Sequence, residues 1–298
     1  MKTKLISAVC SLLNEDGSLD AAGMRRHIAD QWNAGIAGIL AAGTMGQMQQ
    51  LCDKAYAQVI EVASQRMPGR GEVMIGVGDA SWPRTRDRIA LAQQSDIDYL
   101  VILTPAYVKY TQKQLIAYCQ TAADYAAKPI FLYDLPQLTG NALDIQTVVE
   151  LSRHPNIHGI KCSDIWEKTR QIIDLLEDGF RIIPAQPFQI DTMVRLGVES
   201  NLDGIFSVFP RCALRVAAAA ESGEIRQARR LQAQFSAMLN LLRTLGYSVF
   251  NAAAAILNDR GISGRGAALP AAAPDDAQRA ALLGEPLVAE LQAHEKAS

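Results

Sequence analysis

The chain has 298 residues, of which 49% are hydrophobic and 20% charged, with a formal net charge of -2. That length suits one α/β barrel, which takes about 250 residues, and it is enough to bury a sizeable core. No run of Lys or Arg marks a nucleic-acid or membrane-surface partner, and no apolar stretch reaches the ~20 residues of a membrane span.

The cysteines, Cys10, Cys52, Cys119, Cys162 and Cys212, are scattered, with no C-x-x-C pair and no histidine at zinc-ligand spacing. They predict reduced thiols in a cytoplasmic protein, with no metal and no cofactor.

In chain order, Lys2 and Lys4 precede an apolar run, 5–13, that imitates a signal peptide. It is short, interrupted by Ser7 and Ser11, and lacks a small-x-small cleavage site, so it reads as a first strand and a turn. Strand candidates follow at 5–9, 38–42, 73–77, 99–103, 130–135, 157–162, 181–184 and 202–208. Helical patterns separate them. Asp20 is a plausible N-cap ahead of Met24, Ile28 and Trp32; Leu115, Cys119, Ala122 and Ala126 form one stripe after Tyr110; Ile145, Val148, Val149 and Ser152 form another after Asp144.

Strand-helix alternation implies a parallel sheet with right-handed crossovers, and this many units favour a (β/α)8 TIM barrel. From Ala213 onward the chain is Ala-rich and helical, with helices expected over 224–245, 248–257 and 277–292 and a linker bracketed by Pro270 and Pro274. The expected organisation is a barrel, 1–212, and a C-terminal helical region, 213–298, packed on it.

Barrel active sites sit at the C-terminal ends of the strands. There the sequence places Gly43-Thr44-Met45-Gly46-Gln47, Thr104-Pro105-Ala106-Tyr107, Tyr133-Asp134-Leu135-Pro136 and Gly159-Ile160-Lys161-Cys162-Ser163-Asp164. A lysine in a buried strand is unusual, because desolvation penalises an unpaired ammonium. Desolvation also favours the neutral amine, which can condense with a ketone to a Schiff base. A lysine snorkelling to solvent from a strand end fits the spacing equally well. Tyr133, one strand away and level with Lys161, is either core packing or a proton-transfer phenol, with Thr44 and Tyr107 as a hydroxyl relay. The Gly43–Gly46 turn, followed by an expected helix N-terminus, suits a carboxylate but also reads as an ordinary βα turn.

Together these segments resemble the dihydrodipicolinate synthase/N-acetylneuraminate lyase family of class I aldolases over nearly the whole chain. Gly43-Thr44-Met45-Gly46-Gln47 stands at the family's G-[TS]-T-G-E, and Tyr133 to Gly140 at Y-N-x-P-x-x-T-G. Gly159-Ile160-Lys161 stands at G-[IV]-K, and Asp16 to Asp20 at D-G-x-[IV]-D. The resemblance implies that Lys161 forms an imine with pyruvate or another 2-keto acid, while Tyr133 transfers protons relayed through Thr44 to Tyr107. It implies that the Thr44–Met45 backbone holds the carboxylate, that Gly43, Gly46, Leu138, Phe206 and Ser207 complete the pocket, and that a homotetramer of tight dimers forms, with Tyr107 reaching across subunits.

There are departures from the family pattern. Leu138 replaces the synthases' Arg, which speaks against lysine-biosynthetic synthase activity. Met45 replaces a hydroxyl residue, Gln47 an acid, Ala106 a tyrosine and Ser11-Leu12 a Thr-Pro pair. Met45, Leu138 and Phe206 lead to an expected acceptor side of low polarity, suited to a less acidic aldehyde or a modified sugar acid, with Arg84, Lys109 and Arg211 as possible sources of charge. Competing readings are a dehydratase of a 2-keto-3-deoxy sugar acid by the same imine chemistry, and a non-catalytic keto-acid-binding protein. A nucleotide-dependent oxidoreductase is disfavoured, because Gly76-Val77-Gly78 lacks the third glycine of its fingerprint. His27, His154, His158 and His294 are expected to be non-catalytic, with His158 packed or hydrogen-bonded.

Overall fold

The computed structural model describes residues 2–176 and 179–296. Its strands are β1 (Lys4–Ala8), β2 (Gly38–Ala41), β3 (Glu72–Gly76), β4 (Tyr99–Leu103), β5 (Ile130–Asp134), β6 (Ile157–Cys162), β7 (Arg181–Pro184) and β8 (Ser200–Asp203). Between them run α1 (Ala21–Ala34), α2 (Asp53–Ala63), α3 (Trp82–Ala92), α4 (Gln112–Tyr125), the single turn α5 (Pro136–Thr139), α6 (Ile145–Leu151), α7 (Trp166–Leu175) and α8 (Ile190–Arg195). After β8 come α9 (Pro210–Glu221), α10 (Ile225–Thr244), α11 (Val249–Asp259), α12 (Asp276–Gly284) and α13 (Pro286–Lys296). The strand order is β7-β6-β5-β4-β3-β2-β1-β8. The last strand returns to pair in parallel with the first, Lys4 opposite Ser200 and Ser7 opposite Asp203. That cyclic order makes the fold a (β/α)8 TIM barrel with a C-terminal helical extension.

The chain divides into two compact units, Met1–Gly71 with Pro187–Ser298, and Glu72–Gln186. In the second, β4, β5, β6 and β7 pair in parallel, with Tyr133 opposite Lys161 and Lys161 opposite Ile183. Gly159 permits this spacing. A Cβ there would lie 2.2 Å from the Arg181 carbonyl oxygen and 2.4 Å from the Phe131 ring. The α4 helix starts from a capping box, in which Thr111 and Gln114 exchange side-chain and backbone hydrogen bonds.

In the first unit, Asp20 caps α1 by accepting from the Gly23 N–H at 2.8 Å. Met24, Ile28 and Trp32 are buried as their spacing predicts. The C-terminal helices form an apolar core with Phe206, Phe209, Phe235 and the alanines of α11. A polar seam runs beside it. Asp30 receives Arg211 at 2.7 Å and Arg260 at 3.3 Å, and buried Glu295 of α13 accepts from the backbone N–H groups of Arg211 and Cys212 at 3.2 and 2.8 Å. A carboxylate from the far end of the chain thus satisfies the first turn of α9.

Four expectations need correction. The last strand lies at 200–203 rather than 202–208, because Ile205–Ser207 winds into a 3-10 turn. The helix expected over 277–292 is two helices, since Pro286 has no N–H to continue the first. No helix begins directly after the Gly43–Gly46 turn. Residues 44–50 form successive turns, and α2 starts at Asp53. His158 is neither packed nor hydrogen-bonded, because its side chain points outward from β6 into an exposed position.

His27 is fully buried, and its Nε2 accepts from the Cys10 backbone N–H at 3.3 Å. Burial pushes its pKa down to about 4 from 6.5. Between those values the unfolded chain binds a proton that the folded chain refuses. The contribution is therefore fully present above about pH 6.5 and is lost as pH falls to about 4. Denaturation series across this window are expected to show wild type losing on the order of 3 kcal/mol more stability than His27→Gln. Parallel curves would refute this account. Replacing Glu295 by Ala strips the α9 cap and leaves Arg211 short of a partner. The expected loss is about 3 kcal/mol, read as a lower denaturation midpoint at unchanged slope.

Candidate active site

Lys161 sits in the fifth of six positions of β6 with only 4% of its surface exposed. Its Nζ donates to the Ser163 hydroxyl at 2.7 Å and lies 3.9 Å from the centroid of the Tyr133 ring. Among the described residues no carboxylate forms an ion pair with it. The snorkelling alternative therefore fails, because the amine points into the protein and its neighbours are a hydroxyl and a π-face. Tyr133 is equally buried on β5, held level with Lys161 by the strand register.

A second lysine nearby behaves differently. Lys168 of α7 bonds the carboxylates of Asp134 and Asp164, the latter at 2.9 Å. Burial alone would lower its pKa, but the two carboxylates outweigh that and hold it above the usual lysine range. Asp134 is wholly buried, which pushes its carboxyl upward against the pull of Lys168. Its other oxygen accepts from the Leu143 N–H at 3.0 Å. This pair follows directly behind Tyr133 and fixes the end of β5 without engaging Lys161.

The loop after β4 carries Tyr107, whose φ is +78° and whose side chain is fully exposed. A bulky residue in this region is a backbone outlier costing about 1–3 kcal/mol. Asn141 holds the loop in place. Its amide donates to the carbonyls of Pro105 and Val108, both at 2.7 Å, and its oxygen accepts from the Tyr110 N–H at 2.8 Å. The Thr104 hydroxyl donates to the Asn141 carbonyl at 2.8 Å and lies 3.0 Å from the Thr139 hydroxyl. Lys109 donates to the Gly140 carbonyl. Sequence reasoning placed Thr104 and Ser163 at strand ends without giving them a role, and it missed Asn141. The only signal was that Asn141 follows the Thr139-Gly140 pair.

In the other unit, the turn after β2 is pinned from several sides. Gly43 lies against the Leu40 side chain, and Gly46 sits close to backbone, where a Cβ would lie 3.0 Å from the Ala42 nitrogen and 3.1 Å from the Val9 carbonyl oxygen. Ser11 donates to the Gly46 carbonyl at 2.7 Å. Ala42 and Gln47 both have positive φ, +49° and +56°. Among the described residues the N–H groups of Met45 and Gly46 donate to no protein acceptor, which leaves two adjacent donors for an anion. Thr44 is half-buried within this turn. Ser207 is tied to its own backbone through Gly204 at 2.7 Å. Phe206 is wholly buried in the helical core, its ring 6.1 Å from that of Phe235. Leu138, on α5, is 65% exposed.

Two of the expected sources of loop charge are ion-paired. Arg84 pairs with Asp79 at 3.0 Å, and Arg211 pairs with Asp30. All the cysteines are free, and burial lifts the thiols of Cys10, Cys119 and Cys162 to about 12, so they stay protonated and inert. Among the described residues no helix is long and apolar enough to cross a membrane.

The sequence model of the dihydrodipicolinate synthetase family matches residues 1–278. A 4-hydroxy-tetrahydrodipicolinate synthase of Stenotrophomonas maltophilia is 32% identical over 205 residues, covering 68% of each chain. One from Exiguobacterium sibiricum is 27% identical over 79% of this chain and 81% of its own. Among solved structures, a prophage protein of the dihydrodipicolinic acid synthase family from E. coli K12, in complex with pyruvate, superposes with a TM-score of 0.87 at 24% identity, over 97% of this chain and 98% of that one. A 2-keto-3-deoxygluconate aldolase variant of Sulfolobus solfataricus reaches 0.87 at 18% identity, over 97% and 96%. These two likenesses bear on the fold, whereas the family match rests on sequence along most of the chain. With a buried, unpaired lysine facing a tyrosine across adjacent strands, the chain belongs to the dihydrodipicolinate synthetase family, a family of class I aldolases and lyases.

Proposed function

We propose that this protein is a Schiff-base lyase or aldolase in which Lys161 condenses with pyruvate or the pyruvoyl end of a longer 2-keto acid. The observation that carries the reading is the Lys161 amine, buried without a counter-ion and set on the Tyr133 ring face. An amine in that setting serves as a nucleophile rather than as half of an ion pair. Nζ adds to the keto carbon and water leaves, giving a protonated imine. This draws electrons from the adjacent C–C or C–H bond, so the bond can break or form at that carbon. Tyr133 hands protons to and from the reacting oxygen. We assign Thr44 and Tyr107 to its relay, and the N–H groups of the Thr44–Met45–Gly46 turn to the keto acid's carboxylate. Gly43 keeps that turn tight, and Ser207 belongs to the same lining by family resemblance.

Tyr107 supports a second part of the proposal. Among the described residues this strained ring is packed against nothing, which suits a tight dimer in which each subunit lends its Tyr107 to the other, within a cytoplasmic homotetramer of two such dimers. Leu138 stands where the family's synthases carry an Arg that forks onto a second carboxylate, so the reaction differs from that of the synthases named among the relatives.

Borohydride reduction in the presence of pyruvate, followed by peptide mass spectrometry, is expected to leave a reduced pyruvoyl adduct on the peptide containing Lys161. Lys161→Ala should abolish the adduct. Tyr133→Phe should lower kcat by roughly two to four orders of magnitude. An adduct elsewhere, or none, would sink the reading.

A further inference from the structure

The loops that follow β5 and β6 present apolar side chains beside the Lys161 strand. Leu138 is 65% exposed on α5, and Ile165 is 61% exposed just ahead of α7. The two loops are joined, because the amide of Gln137 donates to Asp164 at 3.4 Å. Leu138 and Ile165 are each one residue from that bond, and they flank the strand ends that carry Tyr133 and Lys161.

Charge on this rim points the same way. Lys168 is shared by Asp134 and Asp164, so its ammonium is already committed to two carboxylates. Asp164 also accepts from the Ile165 N–H at 2.8 Å. The Lys109 ammonium is turned into the Gly140 carbonyl, and Arg84 is held by Asp79. An anionic partner molecule would therefore find these three cations already committed, and a polyhydroxylated one would meet two aliphatic side chains.

We propose that the second substrate, the one that joins or leaves the pyruvoyl carbon, is a neutral aldehyde bearing an apolar branched-alkyl or aryl substituent, and that Leu138 and Ile165 receive that substituent. The proposal rests on the imine reading above. In the joining direction, the enamine carbon of Lys161-bound pyruvate bonds to the aldehyde carbon. The carbonyl π electrons move to its oxygen, which takes a proton from Tyr133. Water then hydrolyses the imine, freeing Lys161 and a 4-hydroxy-2-keto acid with the apolar group at C4.

The test compares kcat/KM for pyruvate condensing with benzaldehyde, isobutyraldehyde, succinic semialdehyde and glyceraldehyde, in wild type, Leu138→Arg and Ile165→Ser. Wild type is expected to favour the two apolar aldehydes over the other two by about tenfold or more. Leu138→Arg should shift the ratio toward succinic semialdehyde by a similar factor, and Ile165→Ser should erode the apolar preference without creating an anionic one. Borohydride trapping of pyruvate on wild type, run alongside, separates the two claims. Failure to trap strikes the imine reading itself. Trapping accompanied by preference for succinic semialdehyde or glyceraldehyde, by turnover of none of the four, or by ratios that neither substitution moves, overturns the apolar-aldehyde proposal alone.

Discussion

The Lys161 amine, taken out of water and given no carboxylate, is the constraint around which the Glu72–Gln186 unit is arranged. Burying an ammonium without a partner costs several kcal/mol, and a desolvated contact with an aromatic face returns about 2. The Ser163 hydroxyl at 2.7 Å offsets part of the remainder, and the rest of the fold carries what is left. Lys168, a few residues on, shows the alternative, since it is partly buried too but two carboxylates claim it. The chain thus separates the roles of two nearby lysines by where it places its aspartates. Asp134 immediately follows Tyr133, yet strand alternation turns it away from the face that Tyr133 and Lys161 share. Gly159 completes the arrangement, because any side chain there would press β6 off β5 and β7 and unsettle the level at which the amine meets the phenol ring.

Strain collects where the chemistry is assigned. Tyr107, Ala42 and Gln47 are the described non-glycine residues with positive φ, and all three stand in loops at strand C-terminal ends. Such conformations persist only when the surroundings over-determine them. For Tyr107 the agent is Asn141, which bonds three backbone groups of the loop around it. For the turn after β2 it is the close backbone approach at Gly46 and the Ser11 hydroxyl. Scaffolding of this kind holds the groups of each loop in place without long secondary structure.

The strand positions and Lys161 were legible because a parallel strand buried on both faces reads as a short apolar run, and a charged residue inside one is conspicuous. The end of β8 was not, because Ile205 and Phe206 are as apolar as strand residues and only tertiary packing decides that they wind into a turn. The break before Pro286 was visible in the proline but was overridden by the surrounding helical pattern. Asn141 was illegible for a different reason. Its value lies in reaching carbonyls more than thirty residues away, and no local periodicity encodes that. His158 is exposed because strand alternation, not strand membership, decides burial, and its side chain faces away from the buried neighbours at 157 and 159.

The departures from the family pattern are better understood as linked than as single losses. Gln47 stands at a position usually held by an acid, and here it is buried and donates to the Gly266 carbonyl. A carboxylate could not make that bond, because two acceptors would face each other in a dry setting. Gly266 in turn must lack a side chain, since a Cβ would lie 1.7 Å from the Phe250 carbonyl oxygen. The substitution at 47 therefore belongs with the path of the C-terminal loop. On the imine reading proposed above, the lysine, the phenol and the turn glycines work as one set, because imine formation fixes bond lengths and angles at the keto carbon and leaves no latitude. Contacts to the other substrate are non-covalent and need only match in shape and charge, so positions such as 138 can change while the covalent half of the machinery stays as it is.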